Sequence, residues 1–317
     1  MLNNKFFHAI IKELCEEQNV KMEVISYGWI LKLSKGNKVK YIVGNNFPLN
    51  PESSSIIISD KYATYEVLNS FGIPAVKHIM LFNPAERGEY ISENGNFSII
   101  SSEFSKYGKL VVKPNTGFEG NNVMLCKSLK EAEIAIHKLF KTENSISICP
   151  YYEIEREYRA FYLNGKVELI YSKEKPYVVG DGKSSLKELI TKENLPEKPV
   201  VKENLALLDM KIIPGIGQKV ELSWKHNLSG GAKAEILEEN TDNESTLYNE
   251  IKRLAIKAGE ALDIKFVTID IIHTTENELY VLEVNRGVST AIFANTVKNG
   301  TTLVKNIFRN ALNEMFK

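Results

Sequence analysis

"VTIDIIHTTENELYVLEVN", residues 267–285, has the pattern of two β-prone runs joined by a polar turn at Thr274 to Asn277. Side chains alternate along a strand, so Glu283 and Asn285 share a face among Val281, Leu282 and Val284. A hairpin folded at this turn brings Asp270 beside them. Burying a carboxylate without a partner costs several kcal/mol, on the order of 2–7 even for a neutral polar group, so the set is expected to face something that compensates it. Two carboxylates and an amide form an all-oxygen site suited to a hard cation that keeps several waters, which means Mg²⁺. The competing reading is a solvated edge strand, although Asn is depleted in strands.

Composition narrows the classes around this hairpin. The chain has 317 residues, enough for two or three subdomains, with 40 Lys and Arg against 40 Asp and Glu. Basic residues are spread out and no block of like charge occurs, which argues against a nucleic-acid surface. Apolar runs are short, as at Ile56 to Ile58 and Ile271–Ile272, and fall far short of the roughly 18 residues of a membrane span. The start, "MLNNKFFHAIIKELCEEQ", carries acids within its apolar stretch and reads as an amphipathic helix rather than a secretory signal. Cys15, Cys126 and Cys149 are widely spaced, which suits free thiols in the cytoplasm, and no Cys/His cluster has zinc spacing.

Elsewhere the pattern predicts alternating hairpins and helices. Residues 20–44 give three strand-like runs broken at Tyr27-Gly28 and Lys35-Gly36-Asn37. Asp60 is placed to cap a helix with a core face of Ala63, Val67, Leu68 and Phe71, stopped by Gly72 and Pro74. A strand at Leu110 to Lys113, a glycine-containing turn and a strand at Asn122 to Cys126 follow. Ser128 with Glu131 and Ser185 with Glu188 have capping-box spacing, the first for a helix to about Lys141. "EYRAFYLNGKVELIYSK" is a hairpin turning at Asn164-Gly165. Residues 191–210 read as polar and partly helical, 246–262 as a helix, and Thr301 to Phe316 as an amphipathic run. The fold class expected is α+β, dominated by antiparallel hairpins.

Three further constellations bear on chemistry. In "LVVKPNTGFEGNNVML", residues 110–125, Lys113 ends a strand and Gly117 and Gly120 open a loop whose N–H groups can approach a phosphate. No Gly-Lys-Ser/Thr follows, so this is not a Walker A loop, and a simple turn has the same composition. In "IEREYRAFYLNG", Glu155, Glu157 and Arg159 share one strand face and Ile154, Tyr158 and Ala160 the other, which a solvated face explains equally well. "HNLSGGA", residues 226–232, is an anion loop or a turn, and a lone His226 is usually structural.

Together these segments, in this order from about Ser53 onward, resemble the ATP-grasp carboxylate–amine ligases. "YVVGDGKSSLKELI", "IIPGIGQKVEL" and "HNLSGGAKAEIL" look most like the ATP-grasp part of cyanophycin synthetase, then glutathione-synthetase-like bifunctional enzymes and D-alanine–D-alanine ligase-like members. The resemblance implies an ATP-grasp fold: a small N-terminal α/β domain over 1–58, a phosphate-loop subdomain over 59–150, and a metal and substrate subdomain over 151–317. It makes Lys61 and Lys113 phosphate-contacting lysines, with Gly117 and Gly120 in the phosphate loop. Tyr151 and Tyr152 belong to the hinge that cradles adenine, and Glu157 is the acid that holds the ribose. Asp270, Glu283 and Asn285 fall on the metal triad, for ATP with two Mg²⁺ ions that Mn²⁺ can replace. Arg159, Lys173, Asn227 and Arg286 are candidates for the transferred phosphoryl, the oxyanion or the substrate carboxylate.

The implied reaction is ATP-dependent amide-bond formation between a small-molecule or peptide carboxylate and an amine. No nucleic-acid or membrane partner is implied, and a homo-oligomer is compatible. An ATP-grasp kinase and a nucleotide-binding regulatory protein without turnover are the rival readings; the lysine pair and metal triad argue against the second. Two departures stand out. Cys149, Pro150 and Tyr151 replace the acids usual before the hinge aromatic, and "RGVST" replaces the usual Pro-Gly after the triad. The resemblance therefore does not carry over the identity of the substrate.

Overall fold

The structure is a computed structural model that describes residues 5–91, 93, 95–117, 120–193, 205, 208–239 and 244–317. The helices are α1 (Lys5–Glu17), α2 (Glu52–Ile57), α3 (Lys61–Ser70), α4 (Pro84–Arg87), α5 (Gly95–Tyr107), α6 (Leu129–Leu139), α7 (Leu186–Lys192), α8 (Glu244–Ala261), α9 (Ala291–Thr296) and α10 (Gly300–Met315). The strands are β1 (Lys21–Ile25), β2 (Ile30–Lys35), β3 (Lys38–Val43), β4 (Ile79–Phe82), β5 (Leu110–Pro114), β6 (Met124–Cys126), β7 (Ser145–Pro150), β8 (Ile154–Leu163), β9 (Lys166–Glu174), β10 (Tyr177–Val179), β11 (Lys219–Glu221), β12 (Lys233–Ile236), β13 (Phe266–Thr274) and β14 (Leu279–Asn285). They pair antiparallel into four sheets, in the orders β1-β2-β3, β4-β7-β5-β6, β10-β11 and β12-β9-β8-β13-β14. The α+β expectation holds, and no described helix is long and apolar enough to cross a membrane.

Local signals place most elements. Asp60 caps α3 by accepting from the Ala63 N–H at 2.8 Å. Asn164 and Gly165 both take positive φ, +44° and +83°, as a two-residue hairpin turn between β8 and β9 requires. Ser185 and Glu188 form the full reciprocal box at the start of α7. At α6 only half of it forms: Ser128 accepts from the Glu131 N–H, while the Glu131 carboxylate turns to the Lys127 N–H. Phe71, expected in the core, is 67% exposed, because α3 ends at Ser70 and buries Thr64 and Leu68 instead. Most of the partly helical stretch expected at 191–210 lies outside the described residues.

The cores do not follow the expected boundaries. Residues 1–58 do not close a core of their own. Phe7, Ile11 and Leu14 of α1, with Leu31 and Leu33 of β2, pack in one cluster with Phe266 of β13 and Phe308 and Leu312 of α10. An apolar face on so short a segment needs an outside partner, and the C-terminal helix supplies it. Leu68 of α3 and Ile73 pack with α8, β13 and β14 rather than with the four-stranded sheet. That sheet and α5 and α6 form a separate core around Leu81, Leu110, Ile136 and Ile148.

The five-stranded sheet organises the site. One face carries Tyr158, Ala160, Ile269, Ile271 and Val284 against Ile251, Leu254 and Ala258 of α8. Alternation then sends Glu157, Arg159 and Asp270 to the opposite face. Registers Asp270↔Glu283, Asp270↔Arg159 and Arg159↔Tyr171 lay four polar side chains in a row across β14, β13, β8 and β9, with Glu157↔Lys173 in the adjacent row.

Candidate active site

Strand register brings opposite charges into contact at the centre of this face. Arg159 Nε and Nη2 donate to Asp270 Oδ1 and Oδ2 at 2.7 and 2.6 Å, a planar two-point pairing. Lys173 Nζ donates to Asp270 Oδ1 at 3.0 Å and is also ion-paired with Glu157. Asn285 Nδ2 reaches Asp270 Oδ2 at 3.4 Å. Glu157, Lys173 and Asp270 are 6%, 2% and 3% exposed, so two carboxylates and two cations balance in a site largely shut off from water. Burial pushes the Asp270 carboxyl up, but Arg159 and Lys173 more than offset it and hold it at about 2. Burial raises Glu157 against the pull of Lys173, and the adjacent Asp270 charge raises it further. Burial also lowers His226 to about 3, which leaves a neutral ring whose Nδ1 lies 3.8 Å from Glu157 Oε2.

A second cationic group borders this row. Lys61, at the first position of α3, pairs with Glu283 Oε1 at 3.4 Å and donates to the Gly117 carbonyl at 3.0 Å. Burial lowers its pKa against the pull of Glu283, and the nearby Lys113 charge lowers it further. Lys113 projects from β5 opposite Ser147 and is 6% exposed. Asn115 ties the two lysine-bearing segments together. Its Nδ2 donates to Asp60 Oδ2 at 2.7 Å, its Oδ1 accepts from the Tyr62 N–H at 3.2 Å, and its carbonyl accepts from the Lys61 N–H at 3.1 Å. His78 is buried beside Ser147, 2.7 Å from Nδ1 to Oγ, and burial together with Lys113 and Lys61 keeps it well below its usual pKa.

Gly120 meets the segment that precedes β12. Lys225 Nζ donates to the Gly120 carbonyl at 3.2 Å, and Asn227 packs so closely that a Cβ on Gly120 would lie 2.1 Å from its Nδ2. Between the four- and five-stranded sheets, Val76, Val111, Cys149 and Ile272 form an apolar cluster with Tyr151, Tyr152, Trp224 and Leu282 packed against it. Tyr151 meets Trp224 edge-on at 6.0 Å, and its N–H donates to the Lys109 carbonyl.

Asp270, Glu283, Asn285, Arg159, Lys173, Glu157 and Lys61 are therefore brought together, with Gly117 at the Lys61 end. Gly120 and Asn227 meet at the loop, and Tyr151 and Tyr152 sit in the apolar cluster. Arg286 is exposed beyond Asn285, and among the described residues no hydrogen bond or ion pair joins it to the row. Glu157, expected at the ribose, is ion-paired with Lys173 and faces His226. Glu155 turns away, 59% exposed, toward His273. Sequence reasoning missed Asn115 and Tyr171 and set His226 aside as structural; "KPN" held a signal for the first, since a buried Asn after a lysine needs partners. Among the described residues no group of three or more His, Cys, Asp or Glu is placed to hold a metal. The expected donors are instead two carboxylates and an amide on one face, the donor types a hard divalent cation takes, and here the Asp270 oxygens are paired with Arg159 and Lys173 and Glu283 with Lys61.

Lys113 from the four-stranded sheet, Lys61 from α3 and the carboxylates of the five-stranded sheet gather beside an apolar cluster shared by the two sheets, and the chain has an ATP-grasp fold. Residues 200–309 match the family model of the RimK-like ATP-grasp domain. The chain is 25% identical over 187 residues to cyanophycin synthetase of Trichormus variabilis, covering 59% of this chain and 19% of that protein. It is 23% identical over 282 residues to the glutathione biosynthesis bifunctional protein GshAB of Clostridium perfringens, covering 81% and 33%. A bifunctional glutathione synthetase from Pasteurella multocida superposes with a TM-score of 0.59 at 16% identity, over 96% of this chain and 44% of that one. The chain thus spans about a fifth to a third of these curated relatives.

Proposed function

We propose that the chain is an ATP-dependent carbon–nitrogen ligase that joins a small-molecule or peptide carboxylate to an amine. The observation that carries this reading is the charged cluster in which Lys61, Arg159 and Lys173 meet Glu283, Asp270 and Glu157. Phosphoryl transfer needs little covalent help from a protein; it needs positioned cations and an excluded solvent. Lys61 and Lys113 hold phosphate oxygens of ATP, and the apolar cluster at Tyr151, Tyr152 and Cys149 receives the adenine. Asp270, Glu283 and Asn285 would hold Mg²⁺, which supplies charge neutralisation at the phosphates.

The substrate carboxylate oxygen attacks the γ-phosphorus, the bond to the ADP oxygen breaks, and an acylphosphate forms. Arg159 is the group placed to stabilise charge on the acyl side, because a guanidinium fork suits carboxylate and phosphoryl oxygens. The amine then attacks the acyl carbon, loses a proton, and phosphate departs with the former carboxylate oxygen. Docking of the glycine loop on Lys225 and Asn227 keeps water from the acylphosphate. Cys15, Cys126 and Cys149 are free and buried, which supports a reducing, cytoplasmic setting.

The test is positional. Candidate acids labelled with oxygen-18 in the carboxylate are incubated with ATP, Mg²⁺ and amines, and released phosphate is analysed by mass spectrometry. One labelled oxygen per phosphate is expected. Amide formed with unlabelled phosphate would overturn the reading, as would a stable phosphorylated product formed without any amine.

A further inference from the structure

Arg159 spends two of its nitrogens on Asp270, and something else must fix where the rest of the guanidinium faces. Its cross-strand neighbour on β9 is Tyr171, 1% exposed. The register sets the phenol on the same sheet face as the guanidinium, and the Arg159 and Lys173 charges act on its hydroxyl. The ring is itself held in a triangle: it stacks on Phe293 at 4.5 Å and 30°, and Phe161 is tilted at 6.0 Å from Tyr171 and edge-on at 6.2 Å from Phe293. Phe293, also 1% exposed, belongs to α9, which begins six residues after Asn285, just beyond the "RGVST" segment. A fully buried tyrosine usually uses its hydroxyl, since burying that group without a partner is unfavourable. An all-apolar core would be served by phenylalanine at this position.

We propose that Tyr171 is a positioning residue for Arg159. Packed in a triangle of rings with Phe161 and Phe293, it holds the guanidinium in the plane that keeps Nε and Nη2 on Asp270 and turns the remaining edge toward the reacting carboxylate. It also ties that orientation to α9, so a shift of the segment after Asn285 is felt at Arg159 through ring packing. The functional half of this inference rests on the ligase reading; the structural half does not.

The test separates the two. Tyr171→Phe keeps all three rings and removes one hydroxyl. In ¹⁵N spectra of the arginine side chains, with the Arg159 signals assigned by their loss in Arg159→Lys, the variant should show faster exchange about the Nε–Cζ bond. With the substrates of the wild-type reaction, kcat should fall roughly tenfold while KM for ATP stays within about twofold, the loss expected for one hydrogen bond to a charged group. Phe293→Leu, which loosens the ring packing and leaves the hydroxyl, should give a smaller change of the same kind. Unchanged Arg159 signals in both variants overturn the proposal whatever the turnover. Altered signals in a protein whose wild type shows no acid-dependent ATP turnover support the positioning role and remove the ligase reading instead.

Discussion

Replacing Lys173 by Met tests the buried charge balance directly. The wild-type site holds Glu157, Asp270, Arg159 and Lys173, and the methionine stem keeps most of the volume while leaving one negative charge in excess. Arg159 is committed to Asp270, so Glu157 becomes the unpaired group; its other neighbour, His226, is neutral above a pKa of about 3. The carboxylate can escape by taking a proton. Measured from a free Glu near 4.3, that costs at most about 1.36 × (7 − 4.3) ≈ 3.7 kcal/mol at pH 7 and about 1 kcal/mol at pH 5. The figure at neutral pH agrees with the roughly 3–5 kcal/mol seen when one partner of a buried pair is removed. The sign follows from linkage. Glu157 already has a raised pKa in the folded state, and removing Lys173 raises it further, so the folded variant binds the extra proton and loses stability as pH climbs above the unfolded value. Lys173, also raised, contributes its stability through neutral pH and loses it only above the usual lysine range. Urea unfolding at pH 5 and pH 7, followed by Trp29 and Trp224 fluorescence and by circular dichroism, gives the difference from wild type, with coincident transitions required before free energies are compared. A pH-independent penalty, or one under about 1 kcal/mol at pH 7, refutes the reasoning. So does a Lys173→Met/Glu157→Gln double variant that recovers nothing.

Glu283 is 28% exposed and outside the buried quartet, so Glu283→Gln should fold normally yet lose at least about a hundredfold in ATP-dependent phosphate release, the scale of removing a charge at a phosphoryl-transfer site. Near wild-type release at saturating Mg²⁺ would count against its assignment. Gly120 has φ of +68°, and an added Cβ would strike Asn227, so Gly120→Ala should undock the glycine loop. Proteolysis near Gly117 to Asn122 should then proceed at the same rate with and without an ATP analogue, whereas in wild type the analogue should slow it.

How much of this was legible in the sequence depends on which side of a strand pairing a residue lies. Capping at Asp60 and Ser185 and the Asn164-Gly165 turn are local, and the chain spells them out. Glu157 opposite Lys173, and Asp270 between Glu283 and Arg159, are registers between strands, so β8 alone could not distinguish buried Glu157 from exposed Glu155. The shared core of α1 and α10 was hidden for the same reason, since nothing local tells one amphipathic helix which distant face will cover it.

The hairpin itself shows the limit most sharply. Counting back from its turn, His273 pairs with Leu279, Ile272 with Tyr280 and Ile271 with Val281, so a regular ladder would next set Asp270 opposite Leu282. Strict alternation would then put Glu283 and Asn285 with Val281, on the face that packs against α8. Instead the ladder shifts by one between Asp270 and Ile271, Asp270 meets Glu283, and Leu282 is the extra residue. Val281 and Val284 stay buried against α8 while Leu282, Glu283 and Asn285 are only partly buried, as one broken alternation requires. The expected grouping of Asp270, Glu283 and Asn285 thus holds through a bulge that simple hairpin counting does not contain. Burial supplies its cause: the regular register would sink a carboxylate and an amide among Ile269, Ile271 and Leu254, and one unpaired residue on β14 costs less than that.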